Sequence, residues 1–431
     1  MVVTPWGSVG EGSEPGDGGT PPLPANMRRE RLFAAMVASC AERGYEETSV
    51  ADLLRLSGVS RATFYELFDN KADCFRATIA VVLSGGLAAI SASYRADLPW
   101  EQRARLALES FLGLAAAQPA AARLCLVESF AAGSAGTEAV ESAVRKLGVF
   151  GRQALEQMPG RETMPADLSQ AIIGGFHTIL YRRLDEGRAE ELPGLADRLW
   201  EWAMAYAPPP ERLRLRSRRP KIEDGNVPPF AAIDPGERII RAFATAVMEK
   251  GYPSTTIADV AGIAAISQRT LYEHFSGKAE LLAAALDSAG AQLTAAVLPS
   301  IRRSPGWPDS VRAGFGATCS FLAAEPAFAY LREVEVYAAG PEAIALRNRT
   351  GTQVLTEMLS GEDQPDFDPL YFEAIEGAAY SVLHDQIRAH GPASLPEVAP
   401  LLTYVSLAPI LGPAQACEVA NGDGRRRPAG G

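Results

Sequence analysis

Residues Gly44 to Lys71 read GYEETSVADLLRLSGVSRATFYELFDNK, and residues Gly251 to Lys278 read GYPSTTIADVAGIAAISQRTLYEHFSGK. Every position of the first aligns with one of the second at a single offset of 207 residues, without insertion or deletion. The same offset pairs Trp100 with Trp307, Pro119 with Pro326, Leu124 with Leu331, Glu128 with Glu335 and Gly133 with Gly340. Further along it falls to 203, where Gly174 matches Gly377 and Leu192-Pro193 matches Leu395-Pro396. The second copy has therefore lost four residues relative to the first, in the stretch equivalent to Gly136 to Asp167, and loops absorb such a loss most easily. A chain built this way must fold as two versions of one plan. Its 431 residues and 47% hydrophobic content supply packed cores for both.

Each copy of the repeated stretch reads as two short helices around a tight turn. In the first, Thr48 is placed to cap a helix whose buried stripe is Val50, Leu53, Leu54 and Leu56. Gly58 supplies the turn and Ser60 caps the next helix. That helix sets Phe64, Leu67 and Phe68 on an apolar face and Arg61, Thr63, Tyr65 and Glu66 on the other. This is the outline of a helix-turn-helix, whose second helix fits the major groove of double-stranded DNA. A preceding helix over Arg28 to Arg43, with Leu32, Phe33, Met36, Val37 and Cys40 at helical spacing, braces it from behind; Glu237 to Lys250 is the counterpart.

A helix ending in Gly-Tyr, a Thr at a cap, Ser-x-x-Thr-Phe-Tyr-x-x-Phe and a Lys three residues later resemble the DNA-binding domain of the TetR family of transcriptional regulators. The second copy matches with Leu271 for the first Phe, and departs in its turn, where Ala264-Ala265-Ile266 stands for Ser57-Gly58-Val59. A positive φ there costs Ala265 about 1 kcal/mol. The resemblance implies that Thr48, Tyr65 and Lys71, with Thr255, Tyr272 and Lys278, hold phosphates. It implies that Arg61, Ala62 and Thr63, with Gln268, Arg269 and Thr270, face bases. It also implies an all-α fold of two tandem units, each a three-helix reading head followed by a helical bundle that pairs with its twin and binds a small, often apolar effector.

The sequence beyond the heads agrees in kind. It is rich in Ala and Leu, broken by Pro and Gly at helix-like intervals, and lacks alternating strand patterns. Helices are expected at about Ala72–Ala96, Pro99–Ala117, Ala120–Ala131, Thr137–Met158, Ala166–Glu186 and Leu195–Tyr206. The resulting division is a disordered tail over 1–26, a head over 27–76, a bundle over 77–207, a Pro-rich linker over 208–234, a second head over 235–283, a second bundle over 284–415 and a flexible tail over 416–431. Between Arg212 and Lys221 the linker carries six cations and no acid, so it is either a solvated tether or a strap for phosphates.

Candidate residues for an effector pocket are Phe111, Glu128, Phe130, Phe176, His177, Phe321, Glu335, Tyr337 and Tyr380. Core packing explains the aromatics as well, and a helix-pairing carboxylate explains Glu128 and Glu335. Catalysis finds little support: four His and no HExxH, GxSxG or P-loop pattern. No metal site and no cofactor is expected. The net charge of −11 argues against nucleic acid only over the whole chain, because residues 28–76 hold eight cations against eight acids. Five Cys without CxxC spacing read as reduced thiols of a cytoplasmic protein. No leader pattern or apolar run of membrane length is apparent. A DNA-binding regulator, a repressor working as an internal pseudo-dimer on an imperfect palindrome, is the first reading. A helical ligand-binding or scaffold protein that keeps the fold without operator binding is the second.

Overall fold

A computed structural model describes residues 24–92, 95, 97–129, 164–214, 234–361 and 364–422, with a two-residue strand pair, Val3–Thr4 against Gly7–Ser8. The expected helix over 137–158, Phe130, linker residues 215–233, most of the first 23 residues and the end of the chain from 423 lie outside the described residues. By compactness the chain divides into one body of Met1–Met158 with Leu180–Trp200, and a second of Pro159–Ile179 with Glu201–Gly431. Each is described by itself.

The first body begins with α1 (Ala25–Glu47), α2 (Val50–Ser57), α3 (Arg61–Leu67) and α4 (Lys71–Ala92). Then come α5 (Trp100–Ala117) and α6 (Pro119–Arg123), which runs on as a π-helical turn, Leu124–Glu128. Helix α7 (Ala166–Asp185), which belongs to the second body up to Ile179, leads through a 3₁₀ turn, Ala189–Leu195, to α8 (Ala196–Met204), which belongs to the second body from Glu201. The head is built on α1, whose Leu32, Met36, Val37 and Cys40 pack with Leu53, Phe64, Phe68, Phe75 and Ile79. Leu124 and Cys125 join the same cluster, so the core of the head continues into the bundle. Leu56 does not: it is exposed, because the eight residues of α2 turn its side chain away from α1.

The caps differ by one residue from expectation. Ser49, not Thr48, accepts the Asp52 N–H, and Asp52 accepts the Ser49 N–H, a reciprocal capping box. Thr256 and Asp259 repeat it. Ser60 and Ser267 cap the reading helices by accepting from Thr63 and Thr270 N–H, as the sequence predicts.

The second body repeats the plan with α9 (Pro235–Lys250), α10 (Ile257–Ala264), α11 (Gln268–His274), α12 (Lys278–Arg302), α13 (Trp307–Ala324) and α14 (Pro326–Glu333). After a 3₁₀ turn, Glu335–Ala339, come α15 (Pro341–Leu359) and α16 (Pro369–His390). A further 3₁₀ turn, Pro392–Val398, precedes α17 (Ala399–Leu411) and α18 (Pro413–Ala420). Helix α18 lies where a flexible tail is expected from 416. Its Ala416, Cys417 and Ala420 are buried, and the Asn421 side chain donates to Arg212 O (3.2 Å) and accepts from Arg214 N (2.7 Å). The first residues of the expected linker are thus held against α18.

Within this body the first copy's 174–178 meets the second copy's 377–381. A Cβ added at Gly174 would lie 2.9 Å from Gly377 O, and one at Gly377 2.6 Å from Gly174 O. Each glycine also faces the residue one turn beyond its equivalent, Ser381 for Gly174 and Thr178 for Gly377. Equivalent positions contacting reciprocally are the mark of a two-fold, isologous pairing. Tyr206 Oη donates to Val405 O (2.8 Å) and Tyr404 Oη to Ala207 O (2.6 Å) beside it.

Three helical stretches, Lys71–Ser91, Lys278–Arg302 and Pro392–Leu411, are long and apolar enough to cross a membrane by length and composition. This corrects the expectation that no run approaches that length; their many Ala and Leu residues raise the average. In the second body α12 packs its apolar side on α9, α13 and α15, and α17 on α13, α16 and α18.

At the helix-turn-helix corner Gly58 has φ 67° and Ala265 φ 55°, the only non-Gly residue with positive φ among the described ones. Ala265→Gly is expected to stabilise the second head by about 1 kcal/mol, read as a shift of its denaturant midpoint, and Gly58→Ala to destabilise the first by a similar amount.

Candidate nucleic-acid interface

The reading helices α3 and α11 have seven residues each, and their orientation is fixed from beneath. Phe64 and Leu271 are fully buried on the side facing the core. This turns Arg61, Ala62 and Tyr65 outward in the first head, and Gln268, Arg269 and Tyr272 in the second. Tyr65 and Tyr272 are 51% and 53% exposed, two of the four exposed large hydrophobic side chains among the described residues. Arg269 extends freely except for a surface pairing with Glu273 at 3.3 Å. Thr63 and Thr270 are half-buried, and their hydroxyls share hydrogen bonds with the cap serines, 3.0 Å to Ser60 and 2.9 Å to Ser267. The base-facing and Tyr assignments therefore all fall on accessible or half-accessible positions.

Thr48 and Thr255 do not. Both are buried, and their hydroxyls donate to Gly44 O (2.7 Å) and Gly251 O (2.8 Å). They close the end of α1 and α9 from within instead of reaching a phosphate. Lys71 and Lys278 are likewise committed to the protein. The Lys71 ammonium donates to Tyr45 O (2.8 Å) and Glu46 O (3.3 Å), and sits 4.1 Å from the Tyr45 ring centre. Lys278 repeats the arrangement on Tyr252 O, Pro253 O (3.3 Å) and the Tyr252 ring (4.2 Å). Burial lowers both ammonium pKa values from the usual range.

Glu128 and Glu335 each take up one backbone N–H of a head, a contact between elements of the kind the second reading of these acids expects. Glu128 Oε2 accepts the Tyr45 N–H at 2.8 Å, and Glu335 Oε2 accepts the Tyr252 N–H at 2.7 Å. In the first body Arg123 completes a chain, donating to Glu128 Oε1 (3.2 Å) and to Leu184 O (3.2 Å) at the end of α7.

Of the other pocket candidates, Phe176 packs edge-on against Trp202 (5.5 Å), and burial pushes the His177 imidazole down to about 4. Phe111 and Phe321 are half-buried on α5 and α13. Tyr337 and Tyr380 lie against each other at 4.9 Å, with the Arg347 guanidinium 4.5 Å from the Tyr380 ring. They border a charged group that the sequence reading missed. Arg332, Glu333, Arg347 and Glu376 are all buried, Glu333 taking Arg347 Nη2 at 2.7 Å and Arg332 Nε at 3.1 Å. Burial pushes the Glu333 carboxyl up, and the Arg347 and Arg332 guanidiniums more than offset this, leaving it below its ordinary range. The first copy has Cys125, Leu126 and Ile173 at the positions of Arg332, Glu333 and Glu376, so no periodicity shared by the copies could signal it. Among the described residues no cluster of His, Cys, Asp or Glu could hold a metal ion.

The family model for bacterial regulatory proteins of the tetR family matches the chain twice, over residues 32–78 and 239–285, again 207 positions apart. Each reading head is thus a DNA-binding domain of the tetR family. The chain carries this DNA-binding domain of transcriptional regulators in tandem. No curated protein matches it in sequence. Solved structures that resemble it include the fatty acid degradation regulator FadR of Bacillus halodurans, at 16% identity over 40% of this chain and 93% of that one, with a TM-score of 0.37. A TetR-like transcriptional regulator of Rhodococcus sp. RHA1 shows 21% identity over 43% and 99%, with a TM-score of 0.37. FadR of Bacillus subtilis, solved with stearoyl-CoA, shows 17% over 40% and 97%, with a TM-score of 0.35.

Lys71→Ala is expected to lower the stability of the first head by about 1–3 kcal/mol, since two carbonyls lose a charged donor in a half-buried setting. Thermal unfolding of the single variant beside Lys278→Ala checks it; unchanged melting would return the ammonium to the role of a phosphate contact.

Proposed function

We propose that the chain is a repressor whose two heads read the two halves of one operator, and that a small, largely apolar effector bound in a helical bundle releases it. The observation that carries this is the pair of reading helices, equivalent in setting and different in what they expose: Arg61-Ala62 on one, Gln268-Arg269 on the other. Arg suits guanine O6 and N7, Gln suits adenine N6 and N7, and a good bidentate pair discriminates by about 1–3 kcal/mol. Two unlike heads make the operator an imperfect palindrome of double-stranded DNA read in one orientation. The phosphate contacts come from Tyr65 and Tyr272 and from residues around the helix caps. Release follows from linkage: an effector preferring the arrangement that misfits DNA weakens binding by its differential affinity. Working on genomic DNA, such a regulator acts in the cytoplasm.

One chain supplies both halves. The reciprocal Gly174 and Gly377 contact supports an internal pair of copies, and a tether provides an effective concentration near about 1 mM that favours it over pairing between chains. Half-sites about one helical turn, roughly 34 Å, apart suit such a pair.

Two outcomes are expected. Selection from a random DNA library should return a two-part site, and Arg61→Ala should relax preference at one base position of one half by about 1–3 kcal/mol while leaving the other half unchanged. Equal loss at every position would remove Arg61 from base reading. Light scattering should give a mass near 45.8 kDa, with one chain per operator. A stable dimer of chains with four heads would overturn the internal pair and leave the regulator standing.

A further inference from the structure

Resting on the reading of the heads as operator-binding, we infer that Glu128 and Glu335 are positioning residues: each fixes the aim of its head by holding one peptide N–H, that of Tyr45 or Tyr252. The requirement begins at a helix end. Gly44 and Gly251 leave the helix at φ 79°, ψ 167° and φ 77°, ψ 154°, so the chain turns sharply and the next N–H is directed away from the helix's own carbonyls. A buried N–H without an acceptor is costly, and here the acceptor arrives from 83 residues further along the chain. A Cβ at either glycine would stand 3.4 Å from the arriving carboxylate oxygen, so the glycine also leaves it room.

The other side of the same residue is held as well. Lys71, the first residue of α4, donates to Tyr45 O, and Lys278, the first of α12, donates to Tyr252 O. Two bundle-side elements therefore grip one residue of the head by its N–H and its C=O. Tyr45 is followed within four residues by the Ser49 cap of α2, and α3 is packed on α2 through the Gly58 corner. A displacement of the carboxylate is passed to the reading helix with little slack between.

The carboxylate is itself delivered by irregular backbone in both copies. Glu128 ends a π-helical turn, and Glu335 opens a 3₁₀ turn after Val334, whose φ −117°, ψ −56° departs from the helix. Such turns can change register by a residue at small cost, and π turns gather at functional positions. The surroundings have diverged: Arg123 binds Glu128, while Tyr330 occupies the equivalent place before Glu335. The contact to the N–H is what both copies share.

The test uses the full chain, an operator selected by it from a random DNA library, and hydrogen exchange with and without that DNA. Wild type and Glu128→Gln/Glu335→Gln, which keeps an acceptor oxygen, should both show slowed exchange on DNA binding in the heads and in residues 119–128 and 326–339. Glu128→Ala/Glu335→Ala should bind about tenfold more weakly, with the response confined to the heads. Three results would overturn the inference: a wild-type response absent from those bundle residues, an undiminished response in the Ala pair, or a Gln pair that folds and yet behaves as the Ala pair. If the Ala pair does not fold, the Gln pair against wild type decides. A wild-type chain that selects no operator would instead remove the regulator reading on which the inference stands.

Discussion

A helix of seven or eight residues forms too few backbone bonds to offset its nucleation, so α2, α3, α10 and α11 have no standing of their own. Everything around them answers that constraint. Reciprocal capping boxes satisfy the first N–H groups of α2 and α10, serines do so for α3 and α11, and Phe64 and Leu271 anchor the reading helices with a fully buried side chain. The remaining support comes from outside the motif. Leu124 and Cys125 of the bundle complete the first head's core, and the carboxylate and ammonium at Tyr45 tie its end to α6 and α4. A head held this way cannot be indifferent to the shape of its bundle.

Much of this architecture was legible because duplication doubles the signal. A single offset predicted two heads, and the positive φ whose cost the sequence reading weighed for Ala265 is there in the structure. The Gly174 and Gly377 match, noticed only as an alignment, proved to be a contact. What escaped the sequence is informative. Thr48 beside Ser49 and Thr255 beside Thr256 offer two adjacent hydroxyls for one cap, and pattern alone does not say which turns inward. Lys71 matches a phosphate-holding position, but the carbonyls it meets belong to residues some 25 positions away, beyond the reach of local reading. Glu128 and Glu335 stood out as paired acids in apolar surroundings; their partner, a backbone N–H, leaves no mark in sequence at all.

The pairing of the copies shows why glycine was kept at one crossing. Helix backbones approach closely only where neither side chain intervenes, and at Gly174 and Gly377 each carbonyl occupies the space a partner's Cβ would need. An enlarged residue at either position would push the two helices apart. The surrounding hydrogen bonds from Tyr206 and Tyr404 run to backbone carbonyls rather than side chains, so they register helix position and not residue identity. Divergence elsewhere in the two copies is compatible with this seam so long as those backbones stay in place.

The bundles have used that freedom. In the second copy Arg332, Glu333, Arg347 and Glu376 are buried together where the positions that can be matched in the first copy hold Cys125, Leu126 and Ile173. Taking such charges from water costs several kcal/mol per ion, which pairing repays only with good geometry. Glu333 pairs with both guanidiniums, those of Arg332 and Arg347, and Glu376 accepts from the Thr352 hydroxyl at 3.4 Å. Tyr337 and Tyr380, packed on Arg347, are drawn into the same group.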